Sequence, residues 1–308
     1  MFLTKAVVRI NFLRRPCGPC RNFREGAKLL PFGRICDTME EKNVSEIFMV
    51  DLSVIRKKKG FICDMDGVIY HGNQLLPGVR EFHRWLVEGN KKYMFLTNSS
   101  ERSPRELQQK LLRLGLEVSE EHFYTSALAT AAFLKSQCPG GSVFVIGEPG
   151  LVSALYDAGF TMNKVNPDYV VVGETRSLNY EMIEQATLLV QRGARLIGTN
   201  PDLTGPSEIG LVPATRALIS PIEMASGRQA YFLGKPNPLM MRIGLQRLGC
   251  DPADSCIVGD NMNTDILAGL ESQIDTVLVL SGVTAKEDLD RYPYRPEFVL
   301  SGVGEIPG

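Results

Sequence analysis

Short apolar runs alternate with amphipathic stretches from Gly60 to the C-terminus, and this alternation restricts the fold more than any other feature. The apolar run that ends at Asp64 precedes a predicted helix, Val79–Glu88. A strand over 93–96 and a helix over 105–114 repeat the pattern. Strands that alternate with helices form a mainly parallel sheet covered on both faces. The sequence therefore predicts an α/β fold.

A second block of alternating strands and helices, about 128–212, is large enough for a small core of its own. It ends in a Gly- and Pro-rich stretch over 199–213, which is long for a routine connection and is a candidate binding loop. The first pattern then resumes. We predict one domain built from 59–127 and 213–308, with a lobe inserted over 128–212.

The first 58 residues show no sustained helical or strand period. Residues 1–35 carry eight Lys and Arg but a single acid, Glu25, which fits a transit peptide, a disordered extension or untranslated upstream sequence. We favour a dispensable extension over 1–58. Cys17 and Cys20 match a thioredoxin-type redox motif, but no helix evidently follows, so a chance match is the better interpretation.

Composition excludes several classes of function. The net charge of −1 offers no general attraction to nucleic acid or to an anionic membrane. No apolar run reaches the roughly 18 residues that a membrane span needs. The seven cysteines are an odd number scattered through the chain, which suits reduced thiols in a cytoplasmic protein.

Polar side chains follow three of the predicted core strands at the point where each strand ends. They are Asp64 with Asp66, Thr97 with Asn98, and Asp260 with Asp265. Ligands of parallel sheets bind beyond the carboxyl ends of the strands, so we expect these groups to share one crevice. Carboxylates there can hold a hard cation, and Lys235 adds a compact positive charge. Acids, a cation and hydrogen-bond donors together suit phosphoryl transfer.

Four motifs in this order resemble those of the haloacid dehalogenase superfamily, and flanking phrases resemble its class IIA branch, the NagD-like phosphatases. The motifs are Asp64-Met65-Asp66-Gly67-Val68, Thr97-Asn98, Lys235, and Gly259-Asp260 with Asp265. The phrases include Val172-Gly173-Glu174-Thr175-Arg176, Thr199-Asn200-Pro201-Asp202 and Gly234-Lys235-Pro236. The resemblance runs from about Gly60 to the C-terminus, and it implies a Rossmann-like core with an inserted α/β cap.

The resemblance also implies roles for the motif residues. Asp64 is the nucleophile that forms an aspartyl-phosphate, and Asp66 protonates the leaving oxygen and then activates water. Thr97 and Asn98 cradle the phosphoryl group, while Lys235 neutralises charge on it. Because Asp66 must begin the reaction protonated, we expect its surroundings to raise its pKa.

The implied cofactor is Mg²⁺, because a carboxylate that attacks an anionic phosphate needs a cation to cancel repulsion. The expected ligands are Asp64, Asp66 and Asp260. Asp265 and Asn261 are expected just behind them, with Asp265 orienting Lys235 or a metal-bound water.

The expected partner is a small phosphorylated metabolite, a nucleoside monophosphate such as UMP, rather than a nucleic acid polymer or a membrane. Cap residues Glu174, Asn200 and Asp202 are the predicted substrate contacts, and a homo-oligomer formed through the cap is left open. A sugar-phosphate or pyridoxal-phosphate phosphatase on the same scaffold is the alternative. A phosphate-binding protein without turnover is disfavoured, since all three catalytic and metal-binding aspartates are present.

Overall fold

The predicted alternation of strands and helices is present in a computed structural model, which describes residues 51–207 and 210–308. In chain order the strands are β1 (Gly60–Cys63), β2 (Tyr70–His71), β3 (Gln74–Leu75), β4 (Lys92–Thr97), β5 (Phe123–Thr125), β6 (Ser142–Ile146), β7 (Thr161–Met162), β8 (Tyr169–Val172), β9 (Arg195–Gly198), β10 (Thr204–Ser207), β11 (Gly210–Pro213), β12 (Tyr231–Phe232), β13 (Ser255–Gly259), β14 (Asp275–Val279) and β15 (Phe298–Leu300). The helices are α1 (Ser53–Lys57), α2 (Val79–Glu88), α3 (Pro104–Arg113), α4 (Ser126–Gln137), α5 (Pro149–Asp157), α6 (Tyr180–Gln191), α7 (Thr215–Ser226), α8 (Pro238–Leu248) and α9 (Leu267–Glu271).

The larger sheet has the strand order β15-β14-β13-β1-β4-β5, and every neighbouring pair in it is parallel. All four residues of β1 are buried, as expected of a central strand covered on both faces. Cys63, the last residue of β1, lies opposite Val258 of β13 and Phe95 of β4. This register brings the ends of the three strands to the same edge, as the sequence predicts.

Apolar side chains cover both faces of this sheet. Phe61 of β1 packs on α2, where its ring centroid lies 5.3 Å from that of Trp85. Ile62, the next residue, faces the other way and joins a cluster with Met240 and Leu245 of α8. Successive side chains of a strand point to opposite faces, so one short strand contributes to two hydrophobic clusters.

The smaller sheet has the strand order β12-β9-β8-β6-β7 and is also parallel throughout. Strand β12 of this sheet lies beyond residue 212, the predicted end of the insertion. So does helix α7, which packs on the sheet through Ile219 and Ile222. We therefore propose that the inserted lobe continues through β12. Strand β12 has only two residues, too few to show a hydrophobic pattern, so the sequence alone does not assign it to either sheet.

The segment over 199–213, predicted to be a loop, contains the antiparallel hairpin β10–β11. Thr204 pairs with Pro213 and Ser207 with Gly210. The hairpin escapes prediction because glycines and prolines interrupt it and none of its described residues is buried, which leaves no alternation of apolar and polar positions.

Residues 51–58, which we predicted to belong to a dispensable extension, are packed against the fold. Ile55 of α1 is fully buried, and the Arg56 side chain donates to the carbonyl oxygens of Ile306 at 2.8 Å and Pro307 at 3.2 Å. The prediction for residues 1–50, including Cys17 and Cys20, lies outside the described residues. We therefore propose that the folded domain begins before residue 58.

Replacing Ile55 with alanine is expected to lower the free energy of unfolding by about 2–5 kcal/mol, because it leaves a cavity at a fully buried position. Denaturant unfolding of the full chain measures this effect. Val54 is the matched control, since it lies in the same helix with 45% of its surface exposed. Equal losses for Ile55→Ala and Val54→Ala would contradict the packing described here.

Cys63, Cys138, Cys250 and Cys256 are free thiols, in line with the predicted reduced state. In residues 51–207 and 210–308, no helix is long and apolar enough to cross a membrane.

Candidate active site

The carboxyl ends of the three central strands meet as predicted. Asp64 directly follows β1, Thr97 is the last residue of β4, and Asp260 directly follows β13. Lys235 reaches the same place from the connection between β12 and α8. The residues that the sequence singled out therefore come together from four separate segments of the chain.

Lys235 joins two of the aspartates. Its ammonium Nζ lies 2.6 Å from Asp265 Oδ1 and makes a still shorter contact with Asp64 Oδ1. Only 2% of its side chain is exposed. Burial favours the neutral amine, but the two carboxylates outweigh this effect and raise the pKa of Lys235. The lysine is therefore a fixed positive charge at the centre of the site.

Asp64, Asp260 and Asp265 each offer a carboxylate oxygen, and these atoms lie within 4.8 Å of one another. Burial raises the pKa of Asp64 well above the ordinary value, with Lys235 opposing the rise. Burial, aided by the charge of Asp265, also raises the pKa of Asp260, to about 7. Crowded, desolvated carboxylates of this kind are relieved by a bound cation.

Glycines leave room around these carboxylates. A Cβ atom at Gly282 would lie 1.9 Å from Asp260 Oδ2, and one at Gly67 would lie 2.4 Å from the same oxygen. A Cβ at Gly259 would lie 2.1 Å from the Cβ of Asp265. The space and the all-oxygen donor set fit a small hard cation such as Mg²⁺.

Asp66 stands apart from the three clustered carboxylates. Its Oδ2 accepts a hydrogen bond of 3.1 Å from the hydroxyl of Tyr70, a residue whose role sequence reasoning missed. Burial raises the pKa of Asp66, against the opposing charge of Lys110 and the Tyr70 hydrogen bond. This is the direction expected for a general acid. The available sequence signal was the position of Tyr70, four residues after Asp66 and beyond the turn at Gly67.

Asn98 and Thr97 make different contacts. The Asn98 side chain accepts from the Lys235 backbone N–H at 2.7 Å and donates to the Lys235 carbonyl at 3.0 Å. It also donates to Asp202 Oδ2 at 2.9 Å. The Asn98 side-chain amide thus holds the backbone of Lys235, which leaves the main chain of Asn98 for the predicted phosphate contact. The Thr97 hydroxyl accepts from the Ser99 N–H at 3.1 Å.

The predicted cap contacts tie the inserted lobe to the loop after β4. Glu174 accepts from Asn200 Nδ2 at 2.5 Å and from the Ser100 N–H at 3.1 Å. Asn200, which is fully buried, also donates to the Asn98 carbonyl at 2.8 Å. Burial raises the pKa of Glu174, and these hydrogen bonds oppose the rise. The contacts indicate that Glu174 and Asn200 hold the two sheets together at the site.

Asn261 supports Asp265, one of the three clustered carboxylates. The Asn261 N–H donates to Asp265 Oδ2 at 3.1 Å, while Asp265 Oδ1 bonds Lys235. The Asn261 side chain accepts from the Asn263 N–H at 2.9 Å and begins a wider helical turn, Met262–Ile266. Asp265 thus contacts both the Lys235 ammonium and the Asn261 backbone, a position from which it can orient Lys235.

A family model described as haloacid dehalogenase-like hydrolase matches residues 61–161, and a second model of HAD-like hydrolases matches residues 232–306. The ribonucleotide monophosphatase NagD of Escherichia coli K12 is 43% identical over 248 residues, which span 80% of this chain and 98% of NagD. The chain belongs to the haloacid dehalogenase superfamily. Its relation to NagD places it in the NagD-like class IIA phosphatases, as the motifs predicted.

Two solved structures of the superfamily share the architecture. The NagD structure superposes with a TM-score of 0.76, covering 81% of this chain and 98% of that chain. A 4-nitrophenylphosphatase from Thermotoga maritima, 35% identical, gives 0.80 and covers 82% and 98%. The dihydroxyacetone phosphatase of Corynebacterium glutamicum is 43% identical over 246 residues, 80% of this chain and 90% of that enzyme. The chain is therefore a phosphoric monoester hydrolase with a Rossmann-like core and a cap.

Proposed function

We propose that this protein is a Mg²⁺-dependent phosphatase that hydrolyses small phosphate monoesters, nucleoside monophosphates such as UMP among them, through an aspartyl-phosphate. The observation that carries the proposal is the buried cluster at the strand ends. Lys235 contacts Asp64 and Asp265 there. Carboxylate oxygens of Asp64, Asp260 and Asp265 lie within 4.8 Å of one another. A buried positive charge beside a nucleophilic carboxylate suits attack on an anionic phosphate.

In the first step, an Asp64 oxygen forms a bond to phosphorus as the ester P–O bond breaks. Asp66 passes its proton to the leaving oxygen, and Lys235 offsets the negative charge that gathers near Asp64. In the second step, Asp66 takes a proton from water as the water oxygen attacks phosphorus, which frees phosphate and restores Asp64.

Asp64 and Asp260 are the residues best placed to hold Mg²⁺, and Asp265 lies close enough to orient a metal-bound water. When bound, the ion supplies neutralisation of the phosphoryl oxygens. Asp66 is the third proposed ligand; its side chain bonds Tyr70 and is not among the three carboxylates that lie within 4.8 Å of one another.

Substrate selection is assigned to the hairpin β10–β11 and to Asp202, which precedes it. The Asp202 carboxylate accepts a hydrogen bond from the Asn98 side chain. Burial raises the pKa of Asp202, and this hydrogen bond and the charge of Lys235 oppose the rise. Asp202 therefore lies at the edge of the catalytic cluster. NagD is named as a ribonucleotide monophosphatase, which favours nucleoside monophosphates. The dihydroxyacetone phosphatase has the same identity to this chain, 43%, which makes short sugar phosphates the second candidate.

We also propose a cytoplasmic location, which the free thiols of Cys63, Cys138, Cys250 and Cys256 support.

Phosphate release from nucleotides, sugar phosphates and pyridoxal phosphate, measured with Mg²⁺ and with a chelator, tests the proposal. We expect turnover of UMP with Mg²⁺ and a loss of about 100-fold or more with the chelator, because several kcal/mol of charge stabilisation disappear. Restoring Mg²⁺ in excess is the control for irreversible damage. Turnover that is unaffected by the chelator would overturn the metal assignment, and dihydroxyacetone phosphate as the preferred substrate would overturn the nucleotide assignment.

A further inference from the structure

We propose that Tyr70 is a positioning residue that decides which oxygen of Asp66 carries the catalytic proton. The inference rests on the proposed function, in which Asp66 protonates the leaving oxygen. It starts from the hydrogen bond of 3.1 Å from the Tyr70 hydroxyl to Asp66 Oδ2, made by a side chain only 2% exposed.

The backbone holds Tyr70 close to Asp66. The Tyr70 carbonyl accepts from the Gly67 N–H at 2.9 Å, and the Met65 carbonyl accepts from the Ile69 N–H at 2.8 Å. Gly67 has a φ of 80°, a conformation that favours glycine, and this opens the turn. Tyr70 then begins the hairpin β2–β3 by pairing with Leu75. The tyrosine is therefore anchored on both sides of the turn.

The ring of Tyr70 is held from a third direction. The ammonium of Lys110, on α3, lies 3.5 Å from the centroid of the ring. A cation over an aromatic face is an attractive contact, and it restricts the ring to one orientation. The hydroxyl therefore meets Asp66 in a fixed direction.

The direction of the hydrogen bond from Tyr70 decides where the proton of Asp66 lies. A hydroxyl that donates to Oδ2 makes Oδ2 the acceptor, so the acidic proton of Asp66 resides on Oδ1. Oδ1 then gives that proton to the leaving oxygen, and it receives the proton of water in the second step. Without the Tyr70 hydroxyl, the proton can occupy either oxygen and the carboxyl group can rotate, so proton transfer becomes slower while attack by Asp64 is unaffected.

Leaving groups of different basicity separate this role from a structural one. An alkyl phosphate such as UMP needs a proton on its leaving oxygen, whereas 4-nitrophenolate leaves readily without one. The second step is the same for both substrates, so the first step is measured alone, as phosphoenzyme formation in single turnovers quenched with acid. For Tyr70→Phe we expect this rate to fall roughly 10- to 100-fold with UMP and less than about threefold with 4-nitrophenyl phosphate. Asp66→Asn should show the same selective loss, enlarged.

Tyr124→Phe is the matched control. The Tyr124 hydroxyl is buried without a hydrogen-bond partner in the part of the chain that the structure describes, so its removal should leave both rates unchanged. Thermal unfolding checks that each variant is folded. Equal losses of Tyr70→Phe on both substrates, or no loss on UMP, would overturn the positioning role. Failure of the wild-type enzyme to hydrolyse either substrate with Mg²⁺ would instead overturn the proposed function itself.

Discussion

Asp64→Asn is expected to abolish phosphate release, with a fall in kcat of roughly 10⁴-fold or more. The substitution keeps the size of the side chain but replaces the attacking carboxylate with a weakly nucleophilic amide. It also keeps a polar partner for Lys235, which contacts Asp64 in the wild-type protein. We therefore expect a folded protein that forms no phosphoenzyme when it is mixed with substrate and quenched with acid.

Asp290→Asn is the matched control, because that side chain is 99% exposed and lies outside the site. It should release phosphate at the wild-type rate. Phosphoenzyme that still forms in Asp64→Asn, or a loss of less than about tenfold, would assign the nucleophile to another group.

Lys235→Met is expected to damage both activity and stability. Its removal leaves the carboxylates of Asp64 and Asp265 buried without their cation, and breaking a buried ion pair in this way costs about 3–5 kcal/mol. Because the ammonium also neutralises charge near the nucleophile, kcat should fall by about 10²- to 10³-fold. Denaturant unfolding and phosphate release measure the two effects.

Two further variants test this explanation. Lys59 and Asp254 form an ion pair of 2.7 Å on the surface, so Lys59→Met removes a pair of similar length and should leave activity and stability close to wild type. The double variant Lys235→Met with Asp265→Asn removes one of the stranded negative charges. It should recover part of the lost stability and none of the lost activity. A double variant as unstable as Lys235→Met would show that lost packing, rather than uncompensated charge, causes the instability.

Much of the fold is readable in the sequence because each element of a parallel α/β protein carries its own local signal. Helix α2 has the bounds, Val79–Glu88, that its apolar spacing and end residues predict, and the predicted strand over 93–96 lies within β4. Hairpin β10–β11 escaped prediction because it is short and largely exposed, so no apolar period marks it.

The site likewise has features that the sequence predicts and contacts that it does not. Asp64, Thr97 and Asp260 were predictable as neighbours because parallel strands end at one edge, and the motifs name the chemistry. The side-chain contacts of Asn98 were not predictable: its amide holds the backbone of Lys235. Residue type alone does not tell which partner an amide will find.

By itself, the sequence determined the α/β class, the order of the motifs and the residue types of a phosphoryl-transfer site. Only the tertiary structure decided which of these residues pair: Lys235 with Asp64 and Asp265, Tyr70 with Asp66, and, between the two sheets, Glu174 with Ser100 and Asn200 with Asn98. The physical reason is the separation along the chain of the residues that interact. Strand and helix patterns arise from neighbours in the chain, whereas a buried polar group must be paired with whichever partner the packed fold brings within about 3 Å.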